Sequence, residues 1–212
     1  MIFNASNKSA TVRLTNQSKI DPHLAQSWIE DASGKKRVIT YQHCRRWNVL
    51  SRMNRYKFAW MALASLNNLP PQDRETLFYY NVREIPPRTK EQNVMQIAMQ
   101  SRLKLFWRPK AIELKEGQMV PLPKVTITRT AAGLTLNNPT PYHITVGYIG
   151  TNGKTLDARC RQHYGDSVCF CNSILEQLAS TFQLGFVADY GGLEMFKVEC
   201  NSVQSPLPKL SC

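Results

Sequence analysis

Acidic side chains are scarce in this chain: 15 Asp and Glu stand against 27 Lys and Arg, for a formal net charge of +12. Such a balance permits nucleic acid, an anionic membrane or an acidic protein as partner. No apolar run reaches the roughly 18 residues of a membrane-crossing helix, which argues against membrane insertion. The opening residues, MIFNASNKSATVRL, lack the apolar centre of a signal peptide, so taken literally the product stays in the cytoplasm. Internal repeats and low-complexity tracts are missing, and convincing helical periodicity is scarce. What remains is globular: 212 residues, 42% hydrophobic and 20% charged, enough for one large or two small domains.

The segment Asn93–Arg108, NVMQIAMQSRLKLFWR, carries the clearest pattern. Met95, Ile97, Met99, Leu103, Leu105 and Trp107 are apolar at odd positions, while Gln96, Gln100, Arg102, Lys104 and Arg108 are polar at even ones. Period-two alternation predicts a β-strand with one apolar face. A strand of that length would span about 50 Å, far beyond the usual size. It either bends from one domain into another or offers part of its length to a partner. The plainer alternative is a core strand with a bend at Ser101.

Other strands are expected at Ala10–Thr15, His23–Glu30, Thr76–Ile85, Val125–Thr130, Leu134–Asn137, Thr145–Ile149, Phe182–Val187 and Leu193–Glu199, separated by Gly, Asn and Pro signals. In His23–Glu30 the side chains of Ala25, Ser27 and Ile29 are expected opposite Leu24, Gln26, Trp28 and Glu30. Pro86-Pro87 ends the strand before the long segment, because proline cannot continue a ladder. Many short strands with turn punctuation predict an all-β chain of sandwiches. Two domains are expected, 1–110 and 111–212, divided near Arg108–Lys115.

Five segments carry a resemblance: LAQSWIED (24–31), LPPQDRETLFYYNVREIPP (69–87), NVMQIAMQSRLKLFWRP (93–109), LNNPTPYHITVGYIG (136–150) and LGFVADYGG (184–192). In order and spacing the chain resembles the periplasmic pilus chaperones, the PapD-like family. The short loop between Pro87 and Asn93 resembles the subgroup that assembles rod-like adhesive pili. The resemblance implies two immunoglobulin-like β-sandwich domains in a boomerang. It implies no covalent chemistry and no cofactor. It implies a periplasmic chaperone that lends its long strand to a pilus or fimbrial subunit lacking one of its own, then delivers the subunit to an outer-membrane usher.

By position, Met95, Ile97 and Met99 match the family's donor face, and Lys104 matches the basic residue that grips the subunit's terminal carboxylate. The family's partner arginine precedes the first strand. Here Ile2-Phe3 follows Met1 directly, so that arginine is absent and the N-terminus reads as truncated. Glu75, Arg108 and Asp189 match an interdomain salt-bridge network. Cys200 and Cys212 resemble the family's paired cysteines near the end of the second domain, at a wider spacing.

Two stretches depart from the family, Tyr41–Met61 and Asp157–Gln177, and neither is expected to form strands. Shifted frames allow sequences there that resemble the family's own, which points to frameshifted segments from a decaying gene or a sequence error. The nucleotide sequence across Gly34–Leu69 and Gly153–Ser180 tests that reading. The same stretches hold the alternatives. Trp47, Tyr56, Phe58 and Trp60 among Arg45, Arg46, Arg52, Arg55 and Lys57 suggest a basic nucleic-acid-binding β-protein. Cys160, His163, Cys169 and Cys171 suggest a zinc enzyme, and His43-Cys44 a thiol nucleophile. Frameshifted residues account for both sets more simply.

Overall fold

A computed structural model of the chain describes residues 1–7, 9–19, 21–37, 47–50, 55–61, 70–87, 95–130, 133–151, 154–155, 168–171, 181–199 and 205–206. The chain divides into two compact units, Met1–Glu113 and Leu114–Cys212. Each is a β-sandwich.

The first unit contains β1 (Ile2–Asn4), β2 (Ser9–Thr15), β3 (His23–Asp31), β4 (Lys36–Arg37), β5 (Trp47–Leu50), β6 (Arg55–Met61), β7 (Thr76–Ile85) and β8 (Gln100–Arg108). One sheet runs in the order β1-β8-β7-β3-β4, with β5 also on β3, and β2 pairs with β6 in a second sheet. All pairings are antiparallel except β1 on β8. Alternation sets the core. In β3 the side chains of Ala25, Ser27 and Ile29 turn inward, as their parity predicts. Ile29 joins Phe3, Phe78, Tyr80, Leu105 and Trp107, and Ala10 and Val12 pack onto them from the opposite sheet.

The second unit contains β9 (Thr126–Thr130), β10 (Gly133–Asn137), β11 (Val146–Thr151), β12 (Lys154–Thr155), β13 (Val168–Cys171), β14 (Thr181–Val187), β15 (Leu193–Glu199) and β16 (Ser205–Pro206). Its sheets run β13-β10-β9-β16 and β12-β11-β14-β15. Leu122, Val125, Ile127 and Leu136 meet Ile149, Phe182, Leu184, Phe186, Phe196 and Val198 in one core. Phe186 and Phe196 lie edge to face at 5.6 Å between ring centres. The NPTPYH turn has a local cause: the buried Asn138 amide donates to the Tyr142 carbonyl at 2.7 Å and its oxygen accepts the Thr140 N–H at 3.1 Å.

The structure corrects the sequence analysis in two places. The long alternating segment is a ladder strand only over Gln100–Arg108, nine residues. Its partner β7 runs out at Pro86-Pro87, so the ladder loses its donors. The last link is the Glu84 N–H to the Met99 carbonyl, 2.8 Å. The β7 register runs unbroken through Ser101, so no bulge interrupts the ladder there. Asn93 and the loop 88–92 lie outside the described residues.

Strands also form inside both stretches expected to lack them. β5 pairs with His23–Gln26, β6 with all of β2, and β13 with β10. Ladder bonds come from the backbone, so basic side chains on one parity do not prevent them. The signal was present in Tyr56, Phe58 and Trp60, which alternate with Arg55, Lys57 and Ala59. The rest of those stretches, 41–46, 51–54, 157–167 and 172–177, lies outside the described residues, with Cys44, Cys160 and His163.

One packing test follows from β14. A Cβ built on Gly185 would lie 2.8 Å from the Met195 sulfur and 2.8 Å from the Tyr148 Cβ. The Tyr148 atom is fixed to backbone and cannot swing away. Gly185→Val should therefore cost about 1–3 kcal/mol. A urea titration checks this; an unshifted midpoint would mean that β11 and β15 lie farther from Gly185 than described.

Candidate functional site

Strand β8 has two unlike faces. The even face is a bonded polar layer. Arg83 Nη2 donates to Gln100 Oε1 at 2.8 Å, and the Gln100 amide donates to Asn81 Oδ1 at 3.1 Å. Arg102 lies over the Tyr79 ring, 3.5 Å from its centre, and 3.6 Å from a Glu30 carboxylate oxygen. Lys104 sits on this face opposite Tyr79. Partial burial pulls its ammonium below the ordinary lysine pKa.

The odd face changes along the strand. Trp107 and Leu105 are 3% and 2% exposed, Leu103 44%, Met99 69%, Ile97 70% and Met95 86%. One apolar stripe thus begins in the sandwich core and ends in solvent. Gln96, of opposite parity, donates its side-chain amide to the Pro87 carbonyl. The edge of β8 is open as well. β1 covers Phe106–Arg108, the Met1 amine donates to the Lys104 carbonyl at 3.0 Å, and among the described residues no strand pairs with Gln100–Leu103 on that side. An open edge beside exposed apolar side chains is a template for another strand.

The structure brings some of the expected residues together. Met95, Ile97 and Met99 share one parity and the solvent-exposed stripe just before β8; Lys104 lies within β8, on the other parity. Arg108 ends β8, and its Nε and Nη2 both reach Glu75 Oε1 at 2.7 Å, with both residues buried. That pair belongs to the first unit. Asp189 belongs to the second, in the turn between β14 and β15. Cys200 and Cys212 lie outside the described residues. Leu103 escaped the sequence analysis as a member of the exposed stripe, although its odd position was the signal.

The second unit also holds a cavity of about 270 Å³, walled by Met119, Val120, Ile144, Phe186 and Tyr190, with Glu194 on its lining. Burial first, and then the Asp189 charge, pushes the Glu194 carboxyl above its ordinary range. The walls are mostly apolar, and no cluster of metal-ligating side chains occurs among the described residues.

Comparison with known proteins gives a consistent picture. Residues 1–113 match the family model described as "Pili and flagellar-assembly chaperone, PapD N-terminal domain", and residues 122–197 match "Pili assembly chaperone PapD, C-terminal domain". The chain is 43% identical over 209 residues to the "Uncharacterized fimbrial chaperone YqiH" of Escherichia coli strain K12, covering 97% of this chain and 82% of that protein. It is 33% identical over 213 residues to the chaperone protein PapD of Escherichia coli, covering 98% and 87%. Among solved structures, the periplasmic chaperone SfaE superposes with a TM-score of 0.67 at 27% identity, over 92% of this chain and 94% of that one.

Two substitutions separate support from function. Arg108→Ala leaves the Glu75 carboxylate buried without its guanidinium, at a cost of about 3–5 kcal/mol. Replacing both by apolar residues, Arg108→Met with Glu75→Leu, should cost much less; equal losses in a denaturant titration would refute this account. For Lys104 the sign runs the other way. Its folded pKa lies below its unfolded value, so the buried charge is a burden at neutral pH. That burden is relieved as pH rises from the lowered pKa toward the ordinary lysine value. Lys104→Met should leave stability at pH 7 unchanged or slightly raised, with the gain shrinking in alkali. A clear loss at neutral pH would contradict it.

Proposed function

The chain belongs to the PapD-like pilus-assembly chaperones, and on that premise we propose that it holds pilus subunits by lending them the stripe Met95, Ile97 and Met99. The observation that carries the reading is the exposure gradient from buried Trp107 in β8 to nearly bare Met95 in the segment before it. A globular chain gains nothing by presenting three large apolar side chains on one parity beside an unpaired strand edge. It risks aggregation by doing so. A subunit that lacks a strand has the complementary defect: an apolar groove and a row of unpaired backbone groups. Inserting the stripe fills the groove and pairs the edge in one step. Burying three such side chains contributes about 5–8 kcal/mol before the cost of ordering. That suits a hold that a later donor strand must displace.

Lys104 would add a charge-assisted contact to a carboxylate at the end of the subunit. Its partial burial supports this role, because an ammonium short of solvation gains more from an incoming carboxylate than a free surface lysine does. Periplasmic placement and delivery to an outer-membrane usher complete the reading. A relative named as a fimbrial chaperone and a structural neighbour named as a periplasmic chaperone support the placement. The nucleic-acid alternative loses its footing: the alternation of Tyr56, Phe58 and Trp60 in a basic stretch is that of β6, paired along its length with β2.

The test is capture. Ile97→Asp places a charge where an apolar groove must close and should abolish co-purification with a pilus subunit that lacks its last strand. Gln96→Asp, of opposite parity, should matter much less. Undiminished capture by the Ile97 variant would sink the assignment.

A further inference from the structure

Two of the three residues in the exposed stripe are methionines, and this has a chemical consequence. A thioether reacts with peroxides without a catalyst, and access to the sulfur sets the rate. Met95 and Met99 are more exposed than Met1, Met119 or Met195, the other methionines exposed among the described residues. Both stand on the parity that must be apolar for capture, on either side of Ile97. The opposite parity offers them no cover, since Gln96 is tied back to Pro87 and Gln100 to Asn81 and Arg83.

We propose that Met95 and Met99 form an oxidation site that switches strand lending off, with hydrogen peroxide or another two-electron oxygen donor as the oxidant. The inference rests on the proposed role of the stripe. In the step, the sulfur lone pair attacks one peroxide oxygen. The S–O bond forms as the O–O bond breaks. The sulfur is oxidised by two electrons and the peroxide reduced. The proton of the transferred oxygen passes to the departing one, which leaves as water. The product, methionine sulfoxide, carries a strong dipole on a side chain of nearly the same shape. Inserted in an apolar groove, it buries an acceptor with no donor opposite. A loss of about tenfold in affinity per sulfoxide is expected, because each tenfold needs only about 1.4 kcal/mol. Ile97 cannot be oxidised in this way, so a modified stripe keeps its strand character and loses its fit. Methionine sulfoxide reductases reverse the change, one enzyme for each epimer. A stripe already seated in a subunit is covered, so the switch acts on the empty chaperone.

The experiment uses the whole chain and a pilus subunit lacking its last strand. The chain is treated with graded hydrogen peroxide, peptide mass spectrometry reports which methionines gain oxygen, and capture is measured before and after. The double variant Met95→Leu/Met99→Leu is carried in parallel. Met95 and Met99 should oxidise first, and capture should fall about a hundredfold when both are modified. Treatment with both reductases should restore it. Whatever the leucine variant captures before treatment it should still capture afterwards, although its other methionines and its cysteines still oxidise. The preformed complex should resist peroxide at these two positions. Full capture by a chain oxidised at both residues would overturn the proposal. So would an equal loss in the leucine variant, which would trace the damage to other residues. If neither untreated chain captures a subunit, the role of the stripe itself fails, and that outcome is distinct from both.

Discussion

The pairing of β7 with β8 is the constraint on which the first unit depends. It sets which parity of β8 faces inward, and so commits Leu105 and Trp107 to the core. The same pairing ends where β7 meets Pro86-Pro87. Past that point the alternating segment has no ladder partner on the β7 side among the described residues, and its parity is carried on by Met99, Ile97 and Met95, which stay exposed. One backbone register therefore produces both the buried core of the domain and its exposed apolar stripe. A change of one residue in that register would exchange the faces, exposing the core side chains and turning Arg102 and Lys104 inward.

The polar face keeps this register from slipping. Gln100 bridges Asn81 and Arg83, and Arg102 stands between Tyr79 and Glu30, so these two steps of β8 meet specific groups on β7 and β3. At the far end Arg108 and Glu75 lock the strand by a buried ion pair. Such a pair adds less net stability than its short distances suggest, because desolvating two charges offsets most of their attraction. Its use is positional: other registers leave a buried charge without its counter-ion. That specificity matters more here than in an ordinary sandwich, since the neighbouring segment already exposes Met95, Ile97 and Met99 to water.

The sequence and the structure agree most closely where a segment alternates cleanly. β7 and β15 have the bounds expected of them, and β3 and β14 differ by one residue. Very short strands such as β1, β4, β12 and β16 carry no readable period, since two or three residues fit any pattern. β5, β6 and β13 were hidden by clusters of Arg, Lys and Cys, residues that say little about strand formation. In the site, Met95, Ile97 and Met99 were legible as a set. Leu103 was legible as part of the same face, yet its half exposure was not.

By itself the sequence determined the two faces of the Asn93–Arg108 segment, the break at Pro86-Pro87 and the presence of a second sandwich. Those follow from local rules: period-two geometry, the missing N–H of proline, and turn residues between apolar runs. Only the tertiary structure decided where along the stripe burial stops, and that Glu75 meets Arg108, 33 positions away. Burial depends on which strands lie alongside, and partners of an ion pair are chosen by register across a sheet. Both are properties of distant chain brought together, and no local pattern encodes them.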